Sequence, residues 1–167
     1  KGYLPEAILN YIALLGWSPE DDREIFTLDE LAKAFNVKRI GKVGAIFDPE
    51  KLKWINGMWL RNMDMDSYYK LVKPYIEQGV KGNFDGKKIA AILQHRANTL
   101  TEIPEMVDFF DVFPSFSTDL YVNKKMKTTL PVSLTSLKAA KEALEKIDEK
   151  DWTQDHLHEV LLALPKQ

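Results

Sequence analysis

Three histidines are the first candidates for metal binding or acid–base chemistry in this sequence. His156 and His158 lie two positions apart on a predicted helix, and that spacing points their side chains to nearly opposite faces. They therefore cannot bind one metal ion together, and His95 has no partner fixed by local spacing. Because the chain also lacks cysteine, we predict no metal site and interpret the three histidines as structural or surface residues.

Two acidic pairs are the next candidates, for magnesium binding or proton transfer. Asp21 with Asp22, and Asp64 with Asp66, adjoin predicted helix starts, where free backbone amides and the helix dipole favour carboxylates. Helix capping therefore explains both pairs better than catalysis does. The sequence also has no P-loop, no nucleophile elbow and no dinucleotide-binding glycine motif, so we predict no catalytic residue in this chain.

Basic residues form two local clusters, although the formal net charge of the chain is −2. Lys38, Arg39 and Lys42 lie in an irregular stretch whose glycines let the backbone approach a phosphate group. A second cluster, residues 124–127, lies in another irregular segment beside Tyr121. For each cluster, phosphate binding and an ordinary solvated loop are both open. Because the whole chain is not basic, any binding of nucleic acid must depend on such local groups.

Arg96 stands where the helical spacing of Ile89, Ile92 and Leu93 predicts another apolar side chain. One interpretation is structural: its stem covers the core while its guanidinium binds helix carbonyls or pairs with Glu102. The other is functional. A planar group with five donors at a helix end can hydrogen-bond a base edge or stack on an unstacked RNA base. Spacing alone leaves both interpretations open.

The composition is that of an ordinary folded protein. Hydrophobic residues make up 45% of the chain and charged residues 29%, unlike the composition of disordered segments. No apolar run is long enough to cross a bilayer, and the first residues do not resemble a signal peptide, so we predict a cytoplasmic protein without membrane contact. The chain starts without methionine and ends directly after an apolar helical segment, which predicts a piece of a longer protein.

Apolar side chains recur at helical spacing along most of the chain and predict seven or eight helices. The first helix is predicted from Pro5 to Leu15, with Leu4, Ile8, Ile12 and Leu15 on its buried face. Start signals mark four further helices, at the Thr27–Glu30 capping box, at Asp48–Pro49, at Asp66 or Ser67, and at Thr153.

Very little of the pattern favours strands. Ile25–Phe26 and Ala45–Phe47 are the only segments that resemble them, and each is very short. The predicted fold class is therefore all-α, a helical bundle or cage with at most two very short strands in its N-terminal part. Pro74 should kink or divide its helix. A subdomain boundary is predicted near residue 66 and a linker at Phe113–Thr118.

Several stretches are more specific than generic helices. The segments GYLPEAILNY, LLGWS, FDPEKLKWING and WLR follow one another in the first 65 residues. Further along come Arg96-x-x-Thr99-Leu100 and Trp152-Thr153 before the last predicted helix. In this order the motifs closely resemble bacterial glutamyl-tRNA synthetases, in the part that follows their class I catalytic domain.

The resemblance implies two functional regions and several contact residues. Residues 1–66 would be the helical stem-contact region and residues 67–167 a truncated anticodon-binding helical domain. Arg96 matches the family's arginine that is implicated in reading the last anticodon base. The resemblance implies that the stem-contact region lies against the tRNA, which favours Lys42 and Arg61 as backbone contacts beside Lys38 and Arg39 of the basic cluster, although no motif assigns any of them.

The resemblance further implies that the intact protein is an enzyme, a glutamate–tRNA ligase that uses ATP and Mg²⁺. The family's HIGH-like and KMSKS-like ATP motifs are absent from this sequence, as is a P-L-R stretch from its C-terminal segment. The chain is therefore expected to lack catalytic activity and any cofactor of its own. Its predicted partners are its own N-terminal catalytic domain and the glutamate tRNAs, with glutamine tRNA as a further candidate. Alternatives from other classes are a helical protein-interaction adaptor without an RNA role and a stand-alone hydrolase.

Overall fold

Helices account for nearly all regular structure in the chain. A computed structural model describes residues 2–42 and 44–164. Those residues form eight α-helices, and their β-structure is limited to two isolated bridges, Trp17 with Ile40 and Asn123 with Thr128. The predicted all-α class is confirmed. The helices are α1 Pro5–Gly16, α2 Leu28–Ala34, α3 Pro49–Asn62, α4 Met65–Gly79, α5 Gly86–Gln94, α6 Ile103–Val107, α7 Leu130–Leu144 and α8 Gln154–Leu162.

The chain folds into two compact units, Lys1–Phe113 and Pro114–Gln167, called unit 1 and unit 2 below. Their boundary lies inside the segment predicted as a linker, Phe113–Thr118. The boundary predicted near residue 66 lies at the turn between α3 and α4, within unit 1. The boundary between the two compact units therefore differs from the predicted boundary between functional regions 1–66 and 67–167. The division into those functional regions stays a prediction.

Unit 1 is held together by one main apolar core. Within it α1 packs against α3, while α4 packs against α5 and α6. Fully buried side chains come from both sides of residue 66, among them Tyr11, Ile55 and Leu60 before it and Tyr68 and Ile103 after it. Burial raises the pKa of Tyr68 to about 12, so its hydroxyl stays neutral in this core.

The buried face of α1 differs from the prediction. Ile8 and Ile12 are 38% and 58% exposed, whereas Ala7 and Tyr11 are almost completely buried. Asn10 lies beside them and also has no exposed surface. Its polar side chain can be buried there because it accepts a hydrogen bond from Phe26 N and donates one to Glu24 O. Since α1 is apolar on two sides, periodicity alone could not identify the side that packs.

Helix starts follow the side-chain caps, with one correction. Thr27 and Glu30 form the predicted capping box of α2, and Asp48 accepts from the first amides of α3. Asp64, not Asp66 or Ser67, caps α4, because its carboxylate accepts from Ser67 N at 2.9 Å. Pro74 does not divide α4, which continues from Met65 to Gly79; the proline removes one donor from the helix, and a kink there stays a prediction.

The segments predicted as strands have no regular secondary structure and no bridge partner. Each is tied to α1 by a side chain of that helix. Phe26 N donates to Asn10 Oδ1 at 3.0 Å, and Asp48 N, next to the Ala45–Phe47 segment, donates to the Tyr11 hydroxyl at 2.6 Å.

Unit 2 has the two predicted helices α7 and α8 and little buried surface. α7 packs against α8 and against a 3₁₀ helix at Thr118–Tyr121, where Ser133 Oγ donates to Tyr121 O at 2.8 Å. Thr153 caps α8 as predicted, by accepting from His156 N. Among the described residues, no helix of either unit is both long and apolar enough to traverse a membrane.

Candidate nucleic-acid interface

Arg96 lies in the turn that ends α5. Its backbone amide and that of Ala97 both donate to Leu93 O at 2.9 Å, which closes the last helical turn. Ala97 is completely buried, whereas the Arg96 side chain is exposed. The structural alternative for Arg96 requires a carbonyl or Glu102 as partner, and among the described residues its guanidinium has neither.

An apolar hollow of about 300 Å³ adjoins Arg96. Ile92 and Phe109 on its edge are 59% and 56% exposed, so the apolar face of Ile89, Ile92 and Leu93 is buried only in part. The Phe109 ring stacks on Phe110 with centroids 4.6 Å apart. The remaining lining residues are Ile89, Leu93, Met106 and Val107. An exposed cation beside a flat aromatic and aliphatic surface can accept an unstacked base by hydrogen bonding and stacking.

The turn after Arg96 is held by Glu102. The amides of Asn98 and Thr99 both donate to Glu102 Oε2 at 3.2 Å, and Lys53 of α3 forms an ion pair with the other carboxylate oxygen. Partial burial disfavours the charged form of Glu102, but these hydrogen bonds and the Lys53 charge outweigh it and lower the pKa of the carboxyl group. Glu102 is therefore a structural anion at neutral pH.

Helix α3 presents three further residues to the same turn. Asn56 is completely buried, and its Nδ2 donates to Asn98 O. Arg61 Nη1 donates to Asn98 Oδ1 at 3.3 Å. Gly57 lies between them, where a methyl group would collide with Asn98 Oδ1 and with the Arg61 guanidinium. The absence of a side chain at Gly57 thus allows α3 and the turn to approach closely.

The basic loop of unit 1 has one engaged cation and two free ones. Arg39 Nε donates to Ser18 O at 2.7 Å, and its Nη2 donates to Pro19 O, so its guanidinium fixes the chain after α1. Lys38 and Lys42 are exposed, and their ammonium groups have no ion pair within the part of the chain that the structure describes. Lys38 shares a surface groove with Asp21, which reduces the local positive potential.

The residues considered for metal chemistry are not brought together. Within residues 2–42 and 44–164, no three histidine or carboxylate side chains are close enough to hold a metal ion. Asp21 pairs with Arg23, and Asp66 pairs with Lys87 at 2.6 Å. All three histidines are exposed.

Sequence patterns did not indicate the role of the buried asparagines. Asn56 Oδ1 accepts from Leu4 N at 2.7 Å, so this side chain joins the start of α1 to the turn after Arg96. Asparagine is a weak helix former, and its presence in the middle of a helix does not by itself indicate a functional or structural role. A hint was available, because Asn56 occupies the face of α3 that also contains the apolar residues Leu52 and Ile55.

Comparison with known proteins identifies matches in two families. Residues 67–167 match the family described as "Anticodon binding domain". Residues 1–54 match the family described as "tRNA synthetases class I (E and Q), catalytic domain". Arg96 lies in the first range, whereas Lys38, Arg39 and Lys42 lie in the second.

Individual relatives resemble the chain along its full length. A glutamate–tRNA ligase of Clostridium tetani (strain Massachusetts / E88) is 48% identical over 167 residues, which are 100% of this chain and 34% of the relative. One from Clostridium botulinum (strain Eklund 17B / Type B) is 45% identical over 166 residues, 99% of this chain and 34% of the relative. The chain thus spans about a third of the length of the curated relatives it matches.

Solved structures share the fold. A crystal structure of a glutamate tRNA ligase from Elizabethkingia meningosepticum CCUG26117, in complex with its amino acid, matches with a TM-score of 0.70 at 30% identity and covers 95% of this chain and 31% of that one. A glutamate–tRNA synthetase from Elizabethkingia anophelis matches with a TM-score of 0.70 at 27% identity, covering 99% of this chain and 32% of that one. The helical arrangement is therefore shared with part of these longer proteins.

Proposed function

The chain belongs to the anticodon binding domain family, and we propose that it is the tRNA-binding part of a glutamate–tRNA ligase, the enzyme that joins glutamate to its tRNA. Its relatives along the full chain are glutamate–tRNA ligases. In this proposal the chain supplies affinity and recognition of the tRNA, while the remainder of the ligase forms the bond. Charging would take place in the cytoplasm, with glutamate tRNAs as substrates.

ATP and Mg²⁺ are assigned to the remainder of the proposed ligase. The sequence lacks the HIGH-like and KMSKS-like ATP motifs that the resemblance implies, and the described residues offer no cluster of three metal ligands. Only residues 1–54 match the catalytic-domain family. No chemical step is therefore assigned to a side chain of this chain.

The observation that supports recognition of the anticodon is the exposed, unpaired guanidinium of Arg96 beside the apolar hollow lined by Ile92 and Phe109. We assign Arg96 to the last anticodon base. A guanidinium can donate two hydrogen bonds to one base edge, and the neighbouring apolar surface can cover the face of an unstacked base. The hydrogen bonds depend on the donors and acceptors of the base edge, so they would distinguish one base from another, while the apolar surface would add affinity for any unstacked base.

Contacts to the tRNA backbone are proposed for the basic residues of residues 1–66, the region that would contact the tRNA stem. Lys38 and Lys42 have free ammonium groups for phosphate oxygens. Arg39 and Arg61 donate to protein acceptors, so they would contribute positive charge and shape more than hydrogen bonds. Such contacts set register and affinity and do not read sequence.

Substitution of Arg96 in the intact ligase tests the anticodon proposal. Aminoacylation rates would be compared on glutamate tRNAs that differ only in the last anticodon base. Arg96→Ala should reduce the preference for the natural base by about tenfold or more, since a lost base contact costs about 1–3 kcal/mol. Adding glutamine tRNA to the panel decides whether the substrate range extends to it.

A matched control removes one positive charge from the same helix. Lys88 of α5 is exposed, and Lys88→Ala should leave the base preference unchanged. Lys42→Ala should weaken the binding of all the tRNAs by the same factor. If Arg96→Ala retains the wild-type base preference, Arg96 does not read the anticodon.

A further inference from the structure

Asn56 is a fully buried amide whose oxygen and nitrogen connect two separate segments of backbone. Its Oδ1 accepts from Leu4 N at 2.7 Å, and its Nδ2 donates to Asn98 O. The same two segments meet directly where Leu100 N donates to Gly2 O at 2.9 Å. Asn56 therefore fixes the start of α1 and the turn after Arg96 as one hydrogen-bonded group.

The backbone on both sides of Arg96 is fixed, and the two sides are fixed by different helices. Before it, the main core holds α5 through Leu93. After it, Ala97 is buried and Asn98 receives bonds from Asn56 and Arg61 of α3. The Arg96 guanidinium has no hydrogen bond or ion pair with the described residues that would hold its direction, so its placement depends on the turn. A misplacement of about 1 Å can cost a large part of a recognition or catalytic effect.

From these contacts we infer that Asn56 is a positioning residue for Arg96, an inference that rests on the proposed anticodon function. Its amide holds Asn98 O, two residues from Arg96, and so fixes where the guanidinium meets the base. Asn56 has no exposed surface and cannot touch RNA. Base discrimination is thus set in part by a buried side chain of α3, in the half of the chain that precedes residue 66.

Asn10 provides a matched control for the loss of a buried amide. It is also completely buried in unit 1, and it makes three hydrogen bonds, with Glu24 O, Phe26 N and Trp59 Nε1. None of these partners belongs to the turn after Arg96. If the role of Asn56 is purely structural, Asn56→Ala and Asn10→Ala should have the same effect on the preference of the ligase for the natural anticodon base.

The experiment measures kcat/KM of the intact ligase for glutamate tRNAs with each last anticodon base, in both variants. Melting temperatures establish that both variants fold. Asn56→Ala should reduce the preference for the natural base by about tenfold, a size typical of coupling between neighbouring residues. Asn10→Ala should leave that preference within about twofold, even where its rates fall for all tRNAs.

A double variant tests whether Asn56 acts through Arg96. In an Arg96→Ala background, Asn56→Ala should cause no further loss of base preference, because the group that it positions is gone. If Asn56→Ala does not fold, Asn56→Asp replaces it. The carboxylate keeps the volume of the amide and can still accept from Leu4 N, but it has no amide donor for Asn98 O, so the preference should fall by about threefold.

Equal base preference in Asn56→Ala and in the wild-type ligase, or an equal change in Asn56→Ala and Asn10→Ala, would overturn the inference. Retention of the preference in Arg96→Ala would instead overturn the proposed role of Arg96. If Arg96→Ala loses the preference while Asn56→Ala, or Asn56→Asp in its place, keeps it, the anticodon proposal stands and only the positioning role fails.

Discussion

Unit 1 and unit 2 contain helices of similar length but bury very different amounts of apolar surface. Every fully buried apolar side chain among the described residues lies in unit 1. In unit 2, α7 and α8 have no fully buried residue, and Leu134, Leu137 and Leu162 are about half exposed or more. Helix formation along this chain therefore does not imply a core.

The difference follows from the number of elements that can surround a side chain. In unit 1, α4 is packed by both α5 and α6, and the core continues to α1 and α3. In unit 2, α7 has α8 and one short 3₁₀ helix as neighbours. A unit of this size buries a smaller fraction of its surface than a larger one. Its local structure depends more on caps, such as that of Thr153, than on packing.

The largest expected difference between the units is in the free energy of unfolding when a helical leucine is replaced by alanine in each of them. Leu60 of α3 has no exposed surface, whereas Leu137 of α7 is 48% exposed. Leu60→Ala should lower the free energy of unfolding by about 2–5 kcal/mol, because it leaves a cavity. Leu137→Ala should lower it by less than about 1 kcal/mol. Urea denaturation measures both changes, and equal costs would contradict the contrast between the units.

A smaller contrast concerns the ion pairs. Glu102 accepts two backbone amides and pairs with Lys53, whereas Glu145 in unit 2 forms only an exposed i, i+4 pair with Lys141. Glu102→Gln should cost about 1–3 kcal/mol at neutral pH. Glu145→Gln should cost less than about 0.5 kcal/mol.

The pH dependence sharpens this second contrast. The folded-state pKa of Glu102 lies below its ordinary value of 4.5, so its contribution to stability is present above that value and is lost as the pH falls through the folded pKa. The free energy of unfolding of the wild type should therefore decrease more steeply below pH 4.5 than that of Glu102→Gln. If the free energies of unfolding of the wild type and of Glu102→Gln decrease equally steeply below pH 4.5, the charged form of Glu102 is not stabilised in the folded state.

Much of the fold was predictable because helix starts depend on neighbouring residues. The Thr27–Glu30 capping box, the Asp48–Pro49 start and the Thr153 cap were all predicted from two or three adjacent letters, and each is present. The start of α4 was misplaced because three polar residues, Asp64, Asp66 and Ser67, compete there, and only their geometry selects Asp64.

Burial was harder to predict because it depends on residues distant in sequence. The apolar stripe of Ile8 and Ile12 satisfies helical periodicity as well as the stripe of Ala7 and Tyr11, and only the positions of α3 and residues 24–26 decide between them. Ile92 shares a predicted helical face with Ile89 and Leu93, yet it is exposed while they are buried. Periodicity gives the spacing of a face but not the identity of its neighbour.

The candidate site was predicted only in part. Arg96 was identified because a cation interrupts an apolar stripe, and its exposed guanidinium is consistent with the functional interpretation. The bonds of Arg39 and Arg61 to Ser18 and Asn98 join residues at least 20 positions apart. Such contacts leave no local pattern in the sequence, so the structural engagement of these two arginines could not be predicted.

Retention of tRNA by the 167-residue chain at increasing salt tests most directly whether this protein binds tRNA. The proposal predicts measurable binding at low salt and a linear fall of log K with log salt concentration, with a shallower slope in Lys42→Ala, since each phosphate contact contributes a slope of about 0.7–0.9. Absence of binding at low salt, or binding that does not depend on salt, would contradict the proposal and favour a protein-interaction adaptor.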